Sequence, residues 1–255
     1  MNFKYTRLDL ADRLVFAVGD IHGCLSNLMQ AVDWCRGRAS DIGVDPFFVF
    51  LGDYVDRGPD SKGVIEYLTR LRQEGDVGLA CIKGNHDDML VKTWKDPEYP
   101  RAGNWWEHGG QQTLASYGWN PLLHGFPDSL EDWIPSEHVE FLETMPLVAE
   151  SANHLFVHAG LRPGIPLENQ DPEDLLWIRG DFYRDTFDYG KPVLHGHTPE
   201  RENPADYGWR IALDAGCFAT GRLAVAEIAP GTPVPEFHLF NGTGKEYDPP
   251  TFAGP

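Results

Sequence analysis

Gly52-Asp53-Tyr54-Val55-Asp56-Arg57-Gly58 sets two carboxylates and a guanidinium directly behind the apolar run Phe47-Phe48-Val49-Phe50-Leu51. An apolar run bounded by turn residues reads as a buried strand of a parallel sheet. The charged groups then fall at the strand's carboxyl end, the edge at which open α/β sheets hold ligands. A salt-bridged turn has the same composition, but two other clusters in the chain follow the same plan.

Upstream, Leu14-Val15-Phe16-Ala17-Val18 runs into Gly19-Asp20-Ile21-His22-Gly23; downstream, Val77 to Ile82 runs into Gly84-Asn85-His86-Asp87. Leu25, Leu28, Met29, Val32 and Cys35 recur between them at helical spacing. Pro59-Asp60-Ser61 opens a second helix with Val64, Ile65, Leu68 and Leu71 inside. Strand, ligand-rich turn and helix thus occur three times in succession, as crossover-connected strands require. From about Asp96 to Thr144, prolines and tryptophans break the pattern. This stretch predicts short helices, including Trp105–Tyr117 and Ser136–Thr144, inserted as a small cap into a single domain spanning residues 1–255. The sheet resumes at His154–His158 and Pro192–His195. Ile211–Asp214, Leu223–Ile228 and Phe237–Phe240 read as antiparallel strands of a second sheet, and Asp248–Pro255 as a loose Pro/Gly-rich tail.

The 255 residues are 42% hydrophobic, enough to bury a substantial core. No 18-residue apolar run and no signal peptide is visible, so the expectation is a soluble cytoplasmic protein without a membrane partner. Four scattered cysteines (Cys24, Cys35, Cys81 and Cys217) with no C-x-x-C read as buried hydrophobes. A net charge of -18 repels a phosphate backbone and argues against nucleic acid as a partner.

The strand ends supply Asp20, His22, Asp53, Asn85, His158 and His197 as candidate ligands. Carboxylate, amide and imidazole without thiolate suit manganese foremost, with iron or zinc as alternatives, in an open site. One ion needs three or four protein ligands, so six point to two divalent ions sharing one, and Asp53 is central in the set. Paired ions clamp the attacking and leaving oxygens of an in-line displacement.

Five elements, G-D-x-H-G at 19–23, G-D-x-V-D-R-G at 52–58, G-N-H-[ED] at 84–87, H-A-G at 158–160 and G-H-T at 196–198, resemble those of the calcineurin-like metallophosphoesterases. The resemblance covers about residues 14–228 and is to the phosphoprotein phosphatase branch, with Asp87 in place of Glu leaning bacterial and Leu175-Leu176-Trp177-Ile178-Arg179 resembling the rhizobial-like subgroup. It implies an α/β fold of two central mixed β-sheets flanked by helices (an αββα sandwich) and a phosphoric ester hydrolase. It makes Asp20 and His22 ligands of one ion, Asn85, His158 and His197 ligands of the other, and Asp53 the bridge. The resemblance further implies that water ionised between such ions would attack phosphorus directly. His86 resembles the family's general acid, Asp56 its orienting partner, and Arg57 and Arg179 its clamp on phosphate oxygens, with Asn85 also near the phosphate. Arg162, Arg184 and Arg201 compete with Arg179 for that role. His195 sits beside the site, while His108, His124, His138 and His238 receive no role and default to surface or loop positions.

The resemblance implies a phosphoprotein, phosphopeptide or small phosphoester as substrate, with phosphoserine, phosphothreonine or phosphotyrosine hydrolysed. The alternative is a symmetrical bis(5'-nucleosyl)-tetraphosphatase, which shares several elements and the segment Gly109-Gly110-Gln111-Gln112-Thr113-Leu114 but commonly lacks the counterpart of Asp56. Trp-rich residues of the cap could then stack adenines, or simply form the cap's own core. A non-catalytic metal-dependent binding protein is the third reading. Oligomeric state has no signature in the chain.

Overall fold

A computed structural model describes residues 3–124, 127–200, 204–232 and 234–242. The predicted tail at 248–255 and Arg201 lie outside them. Every residue of Leu14–Val18 is buried because the strand is covered on both faces. Leu14, Phe16 and Val18 meet helices, whereas Val15 and Ala17 meet the opposite sheet. A period of two is hidden in such a strand, since both faces require apolar residues.

The strands are β1 Tyr5–Arg7, β2 Leu14–Val18, β3 Pro46–Phe50, β4 Gly78–Cys81, β5 Val148–Glu150, β6 Leu155–Val157, β7 Val193–His195, β8 Ala205–Asp206, β9 Arg210–Ala212, β10 Leu223–Ile228 and β11 Glu236–Phe240. The longer helices are α1 Leu25–Ile42, α2 Ser61–Glu74 and α3 Asn85–Lys95; α4 Ala102–Trp105, α5 Gln111–Ser116, α6 Pro121–His124 and α7 Ser136–Glu143 fill the insertion. Three short ones follow, α8 Pro172–Trp177, α9 Gly180–Arg184 and α10 Cys217–Thr220.

One sheet has the order β11-β10-β2-β3-β4, the other β1-β5-β6-β7-β9-β8. Val15, Ala17, Val49 and Leu51 from the first face Phe156, Leu194, Ile211 and Leu213 from the second. Helices α1 to α3 and the insertion cover the outer face of the first sheet, and α8 and α9 that of the second. The αββα sandwich is therefore as expected, and β2, β3 and β4 are parallel.

Strand allocation differs from the sequence expectation. β6 lies between β5 and β7 in the second sheet rather than resuming the first. β9 runs parallel to β7, and β10 returns to pair antiparallel with β2. Leu223–Ile228 is buried throughout, so it needs neighbours on both edges and both faces, which the gap between β2 and β11 supplies. Within α1, Met29 is 41% exposed, and Ala31 and Ala39 take the inner positions instead.

The expected helix Trp105–Tyr117 is interrupted. Between α4 and α5 the chain widens into a π-type turn over Trp106–Gly110, with Gly109 at φ +120. A Cβ on Gly109 would lie 2.3 Å from the Arg57 nitrogen, so close approach to the Asp56–Arg57 turn dictates the break. Trp105, Leu114, Trp119 and Ile134 join the same core as β2 and β3.

Candidate active site

The crossover connections bring the ends of β2, β3, β4, β6, β7 and β9 to one rim of the sandwich, and the predicted ligands collect there. Asp20, His22, Asp53, Asn85, His158 and His197 are all at least 96% buried. Asn85 Oδ1 lies 2.9 Å from His158 Nε2 and 2.8 Å from His197 Nδ1. Asp53 reaches His22 Nε2 at 3.3 Å through one oxygen and His158 Nε2 at 3.4 Å through the other. Asp20 accepts the backbone N–H of His197 at 3.0 Å, which joins the two sheets at the site. At this rim, two triads have donor atoms within 4.8 Å of one another: His22, Asp53 and His86, and Asp53, His158 and His197. Asp53 belongs to both.

Backbone strain marks the same residues. Among the described residues, those other than glycine with positive φ are His22, Asp53, Asp56, Arg57 and His197. Each such conformation costs on the order of 1–3 kcal/mol and persists only where its surroundings enforce it. Enforcement at Asp53 comes from Asp87, whose carboxyl accepts the N–H groups of Asp53, Tyr54 and Gly84 at 2.9, 3.0 and 2.8 Å. Gly84 is glycine because a Cβ there would stand 2.1 Å from Asp53 Oδ1.

The donor set fits divalent cations. The Nδ1 atoms of His22 and His158 bond the carbonyls of Val55 and Leu51 at 2.7 and 2.9 Å, which turns each Nε2 toward Asp53. Burial lowers His158 and pushes His197 down to about 2, keeping both rings in the neutral, ligating form. Burial, then Asp214 and Asp53, drive Asp20 well above the carboxylate range. Burial would raise Asp53 as well, but His158, His86 and His22 hold it well below. Such crowding of carboxylates in a dry rim calls for positive charge. Arg57 Nη1 and Arg179 Nε stand 3.0 and 3.1 Å from His22 Nε2 and His197 Nε2, occupying the directions of ring lone pairs.

His86 and Asp56 form a second unit. His86 Nδ1 is 2.6 Å from Asp56 Oδ2, and both side chains are buried. Burial raises Asp56 to about 7 and lowers His86 well below its ordinary value. The cleft in front is lined by Asp53, Asn85, His86, Arg57, Arg179 and His197, together with Met89, Asn104, His108 and Trp177.

Several of these residues escaped the sequence. His108, given no role there, lies on the cleft wall because the wide turn of the insertion carries it over. His195, placed beside the site, has Arg210 Nη1 3.2 Å from its Nε2 and packs on Phe182. Arg162 pairs with Asp174 and Asp181, and Arg184 with Asp181, so neither competes with Arg179. The tryptophans expected in the cap form core: Trp105 and Trp119 are buried, and Trp94, Trp106 and Trp133 pack against them.

The profile of the calcineurin-like phosphoesterases matches residues 14–225. The chain is a calcineurin-like phosphoesterase. This phosphoesterase is 28% identical over 247 residues to serine/threonine-protein phosphatase 1 of Salmonella typhimurium, covering 88% of the chain and 96% of that protein. It is 26% identical over 230 residues to the bis(5'-nucleosyl)-tetraphosphatase PrpE (asymmetrical) of a Geobacillus strain, covering 81% and 86%. That relative is of the asymmetrical kind, unlike the symmetrical enzymes raised by the sequence elements. Among solved structures, a putative diadenosine tetraphosphatase superposes with TM-score 0.65 at 24% identity over 93% of this chain and 98% of that one. A Saccharomyces cerevisiae serine/threonine phosphatase superposes with TM-score 0.58 at 16% identity, covering 96% and 86%. These last two likenesses establish the fold.

Proposed function

We propose that this phosphoesterase is a metal-dependent phosphomonoesterase that removes phosphate from phosphoserine, phosphothreonine or phosphotyrosine side chains. The observation that carries the reading is the buried His86–Asp56 pair opening on the same cleft as Arg57 and Arg179. Expelling a serine alkoxide or a tyrosine phenoxide, whose conjugate acid ionises at about 10, needs a proton delivered as the P–O bond breaks. A polyphosphate leaving group ionises near about 6 and needs far less help. A dedicated donor therefore suits monoesters better than dinucleoside polyphosphates.

Asp20, His22 and Asp53 would hold one divalent ion, and Asp53, Asn85, His158 and His197 the other. Such a pair, manganese by preference or iron or zinc, supplies a nucleophile from water and neutralises phosphoryl charge. The chain itself does the rest. Arg57 and Arg179 present guanidinium forks that grip phosphoryl oxygens and orient them, with Asn85 alongside. Asp56 holds His86 Nδ1, which leaves Nε2 as the nitrogen that gives its proton to the departing oxygen.

The second reading is a dinucleoside polyphosphate hydrolase, favoured by the PrpE likeness. Trp177 is the one tryptophan lining the cleft, so a pair of adenines finds fewer indole faces than the composition of the insertion promised. A turnover comparison with Mn²⁺ across phosphoserine and phosphotyrosine peptides, p-nitrophenyl phosphate and diadenosine tetraphosphate separates the readings. The expected result is a kcat/KM for at least one monoester that exceeds the dinucleotide's by more than about tenfold, a difference of ~1.4 kcal/mol in transition-state stabilisation. The reverse ratio replaces the reading by the second. No turnover of any of them leaves a metal-dependent binding protein.

A further inference from the structure

Asp56 spends its two oxygens differently. Oδ2 faces His86, and Oδ1 accepts two hydrogen bonds, from Thr113 Oγ1 at 2.7 Å and Trp105 Nε1 at 3.0 Å. The Thr113 hydroxyl also accepts the backbone N–H of Asp56 at 2.9 Å. Thr113 thus closes a ring over main chain and side chain of the same residue. Ser61 adds a second acceptor for that N–H at 3.1 Å and lies 3.1 Å from Thr113 Oγ1. Thr113 and Trp105 are 0% and 1% exposed, and both come from the inserted segment, not from the sheet that bears Asp56.

We propose that Trp105 and Thr113 are positioning residues for proton delivery, reaching the reaction through Asp56, and that the insertion serves as a strut for the His86–Asp56 pair. The proposal rests on the assignment of His86 as proton donor in the preceding subsection. Asp56 and Arg57 adopt φ +71 and +67, a turn that the local chain does not favour by itself. Gly109 presses onto that turn from the insertion, and the two donors fix the carboxyl's rotation about its Cβ–Cγ bond. With Oδ1 engaged, Oδ2 stays on Nδ1 of His86, which aims Nε2 at the cleft. Without them the carboxyl rotates, and the imidazole loses its orientation while every metal-ligand candidate stays in place.

A proton donor matters in proportion to the basicity of the leaving group, which gives a readout that general damage cannot imitate. Thr113→Val keeps the shape and removes the hydroxyl; Trp105→Phe keeps an aromatic ring and removes the N–H. Each is assayed with bound metal measured, on a phosphoserine peptide and on p-nitrophenyl phosphate, whose stabilised phenolate departs readily. The expected result is a kcat loss of about 10- to 100-fold on the phosphopeptide against less than about 3-fold on p-nitrophenyl phosphate, with KM and metal content unchanged. Thr113→Ser, which restores the hydroxyl, recovers most of the phosphopeptide rate. Equal losses on both substrates, loss of metal, or no loss at all overturns the proposal. Should Trp105→Phe not fold, the Thr113 pair decides alone. A wild-type protein inert toward both monoesters refutes the phosphomonoesterase reading itself, a result distinct from an active wild type whose variants fail to discriminate.

Discussion

At the scale of single residues, a division of labour separates His86 from the histidines around it. His22 and His158 each commit Nδ1 to a backbone carbonyl, whereas His86 commits Nδ1 to a carboxylate. A carbonyl partner fixes a neutral ligand; the carboxylate partner fixes which nitrogen of His86 faces the cleft. His86→Asn is therefore expected to retain two ions per chain while kcat on a phosphoserine peptide falls about 10²- to 10⁴-fold. Metal analysis on the same preparation checks it, since lost metal would make His86 a ligand. Asp53→Asn should behave oppositely. Its two oxygens face different histidines, so one charge removed weakens both positions, and bound metal falls below two per chain. A variant still holding two ions would contradict the shared carboxylate.

At the scale of elements, α2 shows how closely a helix boundary can be read. Asp60 caps it, its carboxylate accepting the Gly63 N–H at 2.8 Å, and Val64, Ile65, Leu68 and Leu71 are its buried side, as their spacing predicts. Asp60→Ala is expected to cost about 1 kcal/mol in a denaturant melt without moving KM for a monoester. The three βα units were legible because each joins an apolar run to a turn of charged residues and a periodic helix. β1, β5 and β8 were not, since two or three residues carry no measurable period. The strands β9 and β10 were visible as strands but not as members of opposite sheets, because a fully buried strand carries no mark of its neighbours. The helix break at Gly109 was hidden for another reason: its cause lies about fifty residues away in the turn around Arg57. Candidate ligands were readable as motif residues, whereas Thr113, Trp105 and His108 carry no local chemistry and become visible only where the insertion folds back.

Over the whole molecule, buried histidines make stability depend on pH. His195 lies fully inside the second sheet, and desolvation lowers it to about 3. In the unfolded chain it titrates near 6.5, so between those values the unfolded state binds the extra proton. Stability from this residue is complete above about 6.5 and is lost as pH falls toward 3. Thermal melts at pH 7.5 and 4.5 should show the loss. His195→Gln keeps an acceptor for Arg210 and should flatten the slope by up to one proton; an unchanged slope would mean that His195 is already charged in the fold. No helix among the described residues is long and apolar enough to cross a membrane.

The pairing of β2 with β10 carries a consequence for how the protein is made. Val18, the last strand residue before Asp20, is opposed by Val225, more than two hundred positions later in synthesis. Until the ribosome has released that late segment, the first half of the protein must wait with an open flank of unpaired amides and carbonyls, an invitation to aggregation. A chain ended after Thr220 should accordingly accumulate as insoluble material even though every proposed ligand is present in it, and the missing β10–β11 hairpin, supplied as a separate peptide during refolding, should rescue part of it.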